Sequence, residues 1–263
     1  MTLKVVQDHL QRPVSFMYPP RKIISLCPSI TETLYALGLG GQIAGRTRYC
    51  IHPADQVKQA AIVGGTKQVK EELISRLQPD LIIAEKEENS KDMVEHLAEH
   101  FPVYACNVEN FDDALKMIHD LGVICNREEA ADKMASAVIE QFGHLQPSRA
   151  GRAAYVIWRN PYMVAGGRTF IDSILKKSGF NNVFRDLLER YPVVTIEDFL
   201  REKPDFILLS SEPYPFKDQH KEEFLQQVPG AKPVLVDGES FSWYGVHMIK
   251  TPAYLNALLK EMI

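Results

Sequence analysis

One twelve-residue phrase occurs twice in this chain, 125 residues apart, and it limits the possible folds more than any other feature. Glu72-Leu73-Ile74-Ser75-Arg76-Leu77-Gln78-Pro79-Asp80-Leu81-Ile82-Ile83 returns as Glu197-Asp198-Phe199-Leu200-Arg201-Glu202-Lys203-Pro204-Asp205-Phe206-Ile207-Leu208. Each copy opens on an acid at the head of a short amphipathic helix. A Pro-Asp pair then stops that helix, because the proline ring disfavours helical φ/ψ in the residue before it. An apolar run of strand length follows. A repeat at about half the chain length gives two similar lobes, whereas a solenoid would repeat every ~20–50 residues. Two equivalent lobes imply a cleft between them, a favoured place for a ligand.

The rest of the chain alternates in the same manner. Strands are expected at 22–27, 42–45, 62–63, 80–84 and 102–105, with helices at 29–37, 69–77, 88–100 and 110–122. Ser29 and Glu32 have the spacing of a capping box. A helix of about 20 residues, roughly 30 Å at 1.5 Å per residue, is predicted from Asn126 as its cap to Gln146-Pro147, with Ala130, Met134, Ala137, Val138 and Phe142 as its apolar stripe. In the second half strands are expected at 154–158, 205–210 and 233–236, and helices at 169–177, 195–202, 220–227 and 251–262. The fold class is therefore α/β: two lobes, each a mainly parallel sheet flanked by helices, joined by one long α-helix. The boundaries are 1–125 for the first lobe, 126–147 for the linking helix and 148–263 for the second lobe.

Bulk properties exclude several functions. A net charge of -4 and a pI near 6.1 argue against nucleic acid, which calls for a basic face. No apolar run approaches the ~20 residues that span a bilayer. The first 25 residues, with Pro13, Pro19 and Pro20 among scattered charges and no apolar core segment, do not read as a secretory signal. The expectation is a cytoplasmic protein as the sequence stands, or a periplasmic or surface-anchored one if a leader has been removed. Cys27, Cys50, Cys106 and Cys125 have no metal-ligand spacing, and Cys27 and Cys106 read as small buried residues. No catalytic residue is expected: Rossmann, P-loop and nucleophile-elbow patterns are absent. No metal site is expected either. His96 and His100 lie four apart, but Lys91, Glu95 and Glu99 make that helix face a solvated one.

Chemistry concentrates in the segments after the strands, where α/β sheets bind ligands. Arg48, Tyr49 and His52 follow the second strand, Thr66 and Lys67 the third, and Glu85 the first copy's strand. Trp158 and Arg159 follow the first strand of the second half, and Tyr214 follows the second copy's strand. The stretch 237–250 carries Phe241, Trp243, Tyr244 and His247 without a regular period, and reads as a functional loop. Tyr49, Trp158, Tyr214 and Trp243 suit a flat, bulky ligand, with Arg48, Lys67 and Arg159 supplying charge.

Ile23-Ile24-Ser25-Leu26-Cys27-Pro28-Ser29-Ile30-Thr31-Glu32, the doubled phrase, the linking helix and Asn160-Pro161-Tyr162-Met163-Val164-Ala165-Gly166 together resemble the substrate-binding proteins of cobalamin and ferric-siderophore ABC importers, nearest the cobalamin-binding branch. The resemblance covers about residues 21–262. It implies the helical-backbone, class III architecture with only small opening motions. It also implies a ligand in the interlobe cleft, no intrinsic cofactor, no reaction and a monomer. Glu72 and Glu197 take the place of the glutamates by which such proteins dock on arginines of the two membrane subunits. The cobalamin binder carries a tryptophan just after the third strand where this chain has Thr66. Arg48, Lys67, Arg159 and Arg168 would suit an anionic ferric siderophore, the next ligand after a corrinoid. The other readings are a cytoplasmic corrinoid or metal-chelate handling protein or enzyme on the same scaffold, or a direct metal-ion binder.

Overall fold

The computed structural model describes residues 2–147 and 151–262; the expected start of the second lobe, at 148, lies outside the described residues. The chain opens with an antiparallel hairpin, β1 (Thr2–Gln7) and β2 (Pro13–Tyr18), in register from Thr2–Tyr18 to Gln7–Pro13. Val14 and Phe16 on β2 are buried while Ser15 and Met17 alternate outward. The hairpin thus adds Val14 and Phe16 to the core, through a period of two that spans only four residues.

Next come β3 (Ile23–Ser25), α1 (Pro28–Ala36), β4 (Ile43–Thr47), β5 (Ala61–Gly64), α2 (Glu71–Leu77), β6 (Leu81–Glu85), α3 (Lys91–Ala98), β7 (Val103–Cys106), α4 (Phe111–Cys125) and α5 (Glu128–Gly143). The five strands β3–β7 form one parallel sheet in the order β5-β4-β3-β6-β7. All five residues of β6 are buried, the mark of a parallel strand covered on both faces. Ile74, Val94 and Leu97 from α2 and α3 pack with Ile82, Ala84 and Val103.

The second half supplies β8 (Gly151–Trp158), β9 (Tyr162–Val164), α6 (Phe170–Lys177), β10 (Phe180–Asn182), β11 (Val193–Val194), α7 (Ile196–Glu202), β12 (Phe206–Ser210), α8 (Asp218–Gln227), β13 (Lys232–Val236), α9 (Glu239–Ser242) and α10 (Thr251–Met262). Its six-stranded sheet runs β11-β9-β8-β12-β13, with β10 beside β8. Strands β8, β10, β12 and β13 are parallel, and β9 and β11 are antiparallel additions. Phe199 of α7 and Phe224 of α8 pack with Val156, Ile207 and Leu209 in its core.

The chain divides into two compact units. The first holds the chain up to Val108, then Asp112–Ile139 and Tyr244–His247; the second takes Glu109–Phe111, Glu140–Trp243 and the residues from Met248 on. The division falls inside α5, between Ile139 and Glu140.

Both copies of the repeated phrase build the same local structure. Each helix ends on a residue in the left-handed region just before the proline, Gln78 (φ 50°) and Lys203 (φ 47°), whose N–H bonds Ile74 and Phe199 carbonyls respectively. The aspartate after each proline then reaches the start of the neighbouring strand. Asp80 Oδ2 accepts the N–H groups of Arg21 (2.8 Å) and Lys22 (2.9 Å), and Asp205 Oδ2 accepts that of Arg152 (2.7 Å). The Pro-Asp pair therefore ends a helix and also sets a strand pair in register.

Three local expectations are corrected. Pro28 occupies the first helical position of α1, where its fixed φ suits helix initiation, so Cys27 is the cap and Ser29 lies inside the helix. Glu32, no longer a capping-box partner, accepts at Oε2 from His247 Nδ1–H (3.0 Å). Asn126 (φ 57°) follows the end of α4 in the left-handed region and does not cap the next helix. That helix, α5, spans 16 residues and buries Ala131, Met134 and Val138. Among the described residues, no helix is long and apolar enough to cross a membrane.

Candidate functional site

In the first unit's sheet the chain leaves β3 in one direction through β4 and β5, and in the other through β6 and β7. The carboxyl ends of β3 and β6 therefore flank the topological switch point, where sheets of this class open a crevice. Cys27 follows β3, and Glu85 ends β6.

Glu85 is buried, with 1% exposure. Its Oε2 accepts the N–H groups of Glu87 (2.7 Å) and Glu88 (3.1 Å), and its Oε1 that of Val108 (3.3 Å). Loss of water raises its pKa to about 7. Both oxygens face backbone donors, so this carboxyl shapes the turn after β6 and is turned inward, not toward a ligand. Next to it Asn89, which sequence reasoning missed, binds three strand-end loops. Its amide donates to the carbonyls of Leu26 (3.1 Å) and Thr66 (2.8 Å), and its oxygen accepts from the Glu85 N–H (2.8 Å). The only sequence cue is an Asn-Ser pair ahead of α3.

Around this frame stand the exposed groups. Tyr49 is 53% exposed and lies under the Arg48 guanidinium, 5.8 Å from ring centre to Cζ. Gly65 lies beside both, where a Cβ would stand at ordinary contact distance from the Tyr49 ring, 3.4 Å. Gly64 (φ 139°) makes the tight return toward Val69, where a Cβ would meet the Gln68 carbonyl oxygen at 2.5 Å. Lys67 is exposed and its Nζ donates to the Glu87 carbonyl, while Thr66 is buried. His52 is half-buried, its ring 6.5 Å from that of His247.

The stretch after β13 is core, not an irregular loop. Phe241, Trp243, Tyr244 and His247 are all buried, because α9 and a 3₁₀ turn at Gly245–Ile249 rotate successive side chains inward. Tyr244 lies in the first unit with its hydroxyl 3.4 Å from Cys27 Sγ. Trp243 lies in the second and donates its Nε1–H to Glu212 (2.8 Å). Burial raises the Glu212 pKa. All four cysteines are buried thiols.

The second unit gathers its residues at the carboxyl ends of β8 and β12. Trp158 is 41% exposed and meets Tyr214 edge-on at 5.7 Å, and the Tyr214 N–H donates to the Ile157 carbonyl (3.3 Å). Tyr214 rests on Phe216 (4.7 Å) and His220 (5.5 Å). Arg159 is not an open charge: its Nη2 and Nε lie 2.8 and 3.0 Å from Glu223 Oε2, and the Tyr162 hydroxyl donates to the other oxygen. Arg168 donates to the Leu188 carbonyl (2.7 Å). Glu72 and Glu197 are exposed, each the second residue of its helix, α2 and α7.

A family model of the periplasmic binding proteins matches residues 23–233. This chain is a periplasmic binding protein. The vitamin B12-binding protein of Pectobacterium carotovorum is 27% identical to it over 201 residues, 74% of this chain and 72% of that one. Among solved structures, the periplasmic vitamin B12 binding protein of Vibrio cholerae superposes with a TM-score of 0.76 at 23% identity, covering 93% of this chain and 98% of that one. The apo periplasmic heme-binding protein of Roseiflexus gives 0.73 at 18% identity, covering 92% and 97%. This periplasmic binding protein thus has the class III α/β fold expected from its sequence.

Proposed function

We infer that this periplasmic binding protein carries a bulky metal chelate, a corrinoid before a ferric siderophore, for an ABC-type importer. The observation that supports this most is the pairing of exposed aromatic rings with rigid strand-end frames. Trp158 is held edge-on to Tyr214, and Tyr49 is capped by Arg48. Rings presented in this way offer large contact area at small entropic cost. The sequence relatives named for vitamin B12 point the same way. Pairing of Arg159 with Glu223 removes one of the charges that would recommend an anionic siderophore, leaving Arg48, Lys67 and Arg168 as the exposed cations among those expected. The enzyme reading requires a catalytic acid or base with a shifted pKa. Glu85 has the shift, but its oxygens are committed to backbone N–H groups. The carrier would work outside the cytoplasmic membrane, in line with the family's name and with the periplasmic proteins it superposes on, and Glu72 and Glu197 would face the importer.

Titration with cobalamin, cobinamide and ferric siderophores, followed by tryptophan fluorescence, tests this. Trp243 is buried and bonded to Glu212, so quenching is expected to come from Trp158 and to vanish in Trp158→Phe. Saturable quenching by a corrinoid is the expected result. Failure of every chelate to bind, by fluorescence and by calorimetry, would overturn the ligand class.

A further inference from the structure

On α3 and the turn after it, His96, Glu99 and His100 stand three and four residues apart, the spacing that brings side chains to one helix face. One ligand atom from each lies within 4.8 Å of the others. Among the described residues no other group of three histidine, cysteine or carboxylate side chains converges in this way. The two imidazoles meet edge-to-face at 5.5 Å, and Glu99 Oε2 lies 3.6 Å from His96 Nδ1. A fourth group comes from another element. Glu71, at the head of α2, places Oε2 3.0 Å from His96 Nε2. The sequence alone cannot show this contact, because it joins residues 25 apart across two helices.

We propose that His96, Glu99 and His100 form a surface site for a divalent transition-metal ion, Zn²⁺ or Cu²⁺, with Glu71 as its positioning residue. The donor set selects the metal class: imidazole nitrogen with one carboxylate suits Zn²⁺ and Cu²⁺, whereas Mg²⁺ and Ca²⁺ prefer all-oxygen shells. The separation fits as well. Two donors each about 2.0–2.1 Å from a tetrahedral zinc stand ~3.4 Å apart, close to the 3.6 Å between His96 Nδ1 and Glu99 Oε2. Nδ1 of His96 then faces the ion, and Nε2–H donates to Glu71. A carboxylate behind a ligating imidazole fixes its tautomer and ring orientation and raises its basicity. Three protein ligands leave a tetrahedral ion one coordination position for water or an incoming ligand. Glu71 precedes Glu72, so a bound ion would change the charge beside the acid read above as a docking group.

The test uses the full chain, stripped by chelator and free of any histidine tag, with Zn²⁺ alone in calorimetry and Cu²⁺ alone in electron paramagnetic resonance. One Zn²⁺ per chain is expected, undisturbed by excess Mg²⁺, and the Cu²⁺ spectrum should carry hyperfine structure from two imidazole nitrogens. Affinity should fall on acidification, because a protonated imidazole cannot ligate. His96→Ala and His100→Ala should each abolish saturable binding, and Glu71→Ala should weaken it roughly 10- to 100-fold. All these side chains are exposed, so circular dichroism should show the variants folded. Absence of saturable Zn²⁺ binding, or binding unchanged in His96→Ala and His100→Ala, would overturn the site. Loss in both histidine variants with Glu71→Ala unchanged would overturn the role given to Glu71.

Discussion

Burying the Glu85 carboxyl at the end of β6 raises its pKa from 4.5 to about 7, as removal of water and the nearby charges of Glu87 and Glu88 outweigh the backbone N–H bonds from Glu88 and Glu87 that favour the ionised form. A group with a raised folded-state pKa contributes stability that is full below its unfolded value and is lost as the pH climbs through the folded one. This protein should therefore lose up to about 3 kcal/mol through Glu85 between pH 4.5 and 8, at about 1.4 kcal/mol per pH unit. Glu85→Gln keeps an oxygen to accept from the loop and removes the proton. Urea unfolding of both proteins across that range should show the variant flatter by that amount, and parallel curves would assign the carboxyl no such role. Gly245 poses a steric problem of the same locality. At φ +83° a Cβ would stand 2.0 Å from Thr33 Oγ1, which accepts the Val246 N–H. Gly245→Ala should cost about 2–5 kcal/mol in the same assay, from left-handed backbone plus overpacking.

At the scale of elements the repeated phrase explains itself through its aspartates, since each one fastens the head of its own strand to the head of the neighbour. Asp80→Ala and Asp205→Ala should each destabilise by about 1–2 kcal/mol. The two share no partner, so the double variant should lose the sum; a markedly smaller total would mean that the two clamps are coupled. The strand–helix alternation was readable because parallel strands are short apolar runs between punctuating Gly, Pro and Asp residues. The elements that escaped notice are those with little local signal. The strands β9 and β11 have three and two residues, and the β1–β2 hairpin shows its period through Val14 and Phe16 alone. The candidate site was half legible. Position after a strand marked Arg48, Tyr49, Trp158 and Tyr214 correctly as strand-end groups. It could not show that Arg159 is taken by Glu223, that Glu85 points inward, or that Trp243 and Tyr244 are core. The Arg159–Glu223 and Trp243–Glu212 contacts join residues far apart in sequence, and the turn that bonds Glu85 forms only once β6 is packed.

For the molecule as a whole, the two compact units present one exposed glutamate each at the same helical position, Glu72 in α2 and Glu197 in α7. Helix-end electrostatics alone favours acids there, by ~0.3–1 kcal/mol at a surface, and that benefit needs no partner. Docking on an importer makes a different demand, because two carboxylates meeting two arginines fix orientation as well as affinity. The readings separate on function. Under the docking role, Glu72→Gln with Glu197→Gln should lower chelate-dependent stimulation of the importer's ATP hydrolysis by about tenfold or more, roughly 1.4 kcal/mol, while ligand affinity stays the same. Each single variant should show part of the loss, and added salt should weaken the wild type toward the variants, since exposed charge pairs are screened within ~10 Å at 0.1 M. Stimulation that survives both substitutions, measured in proteoliposomes holding the cognate importer, would leave the two acids as helix-capping groups alone. The neighbouring Glu71 provides the control, for its carboxylate is engaged by His96, and Glu71→Gln should leave stimulation intact in metal-free buffer.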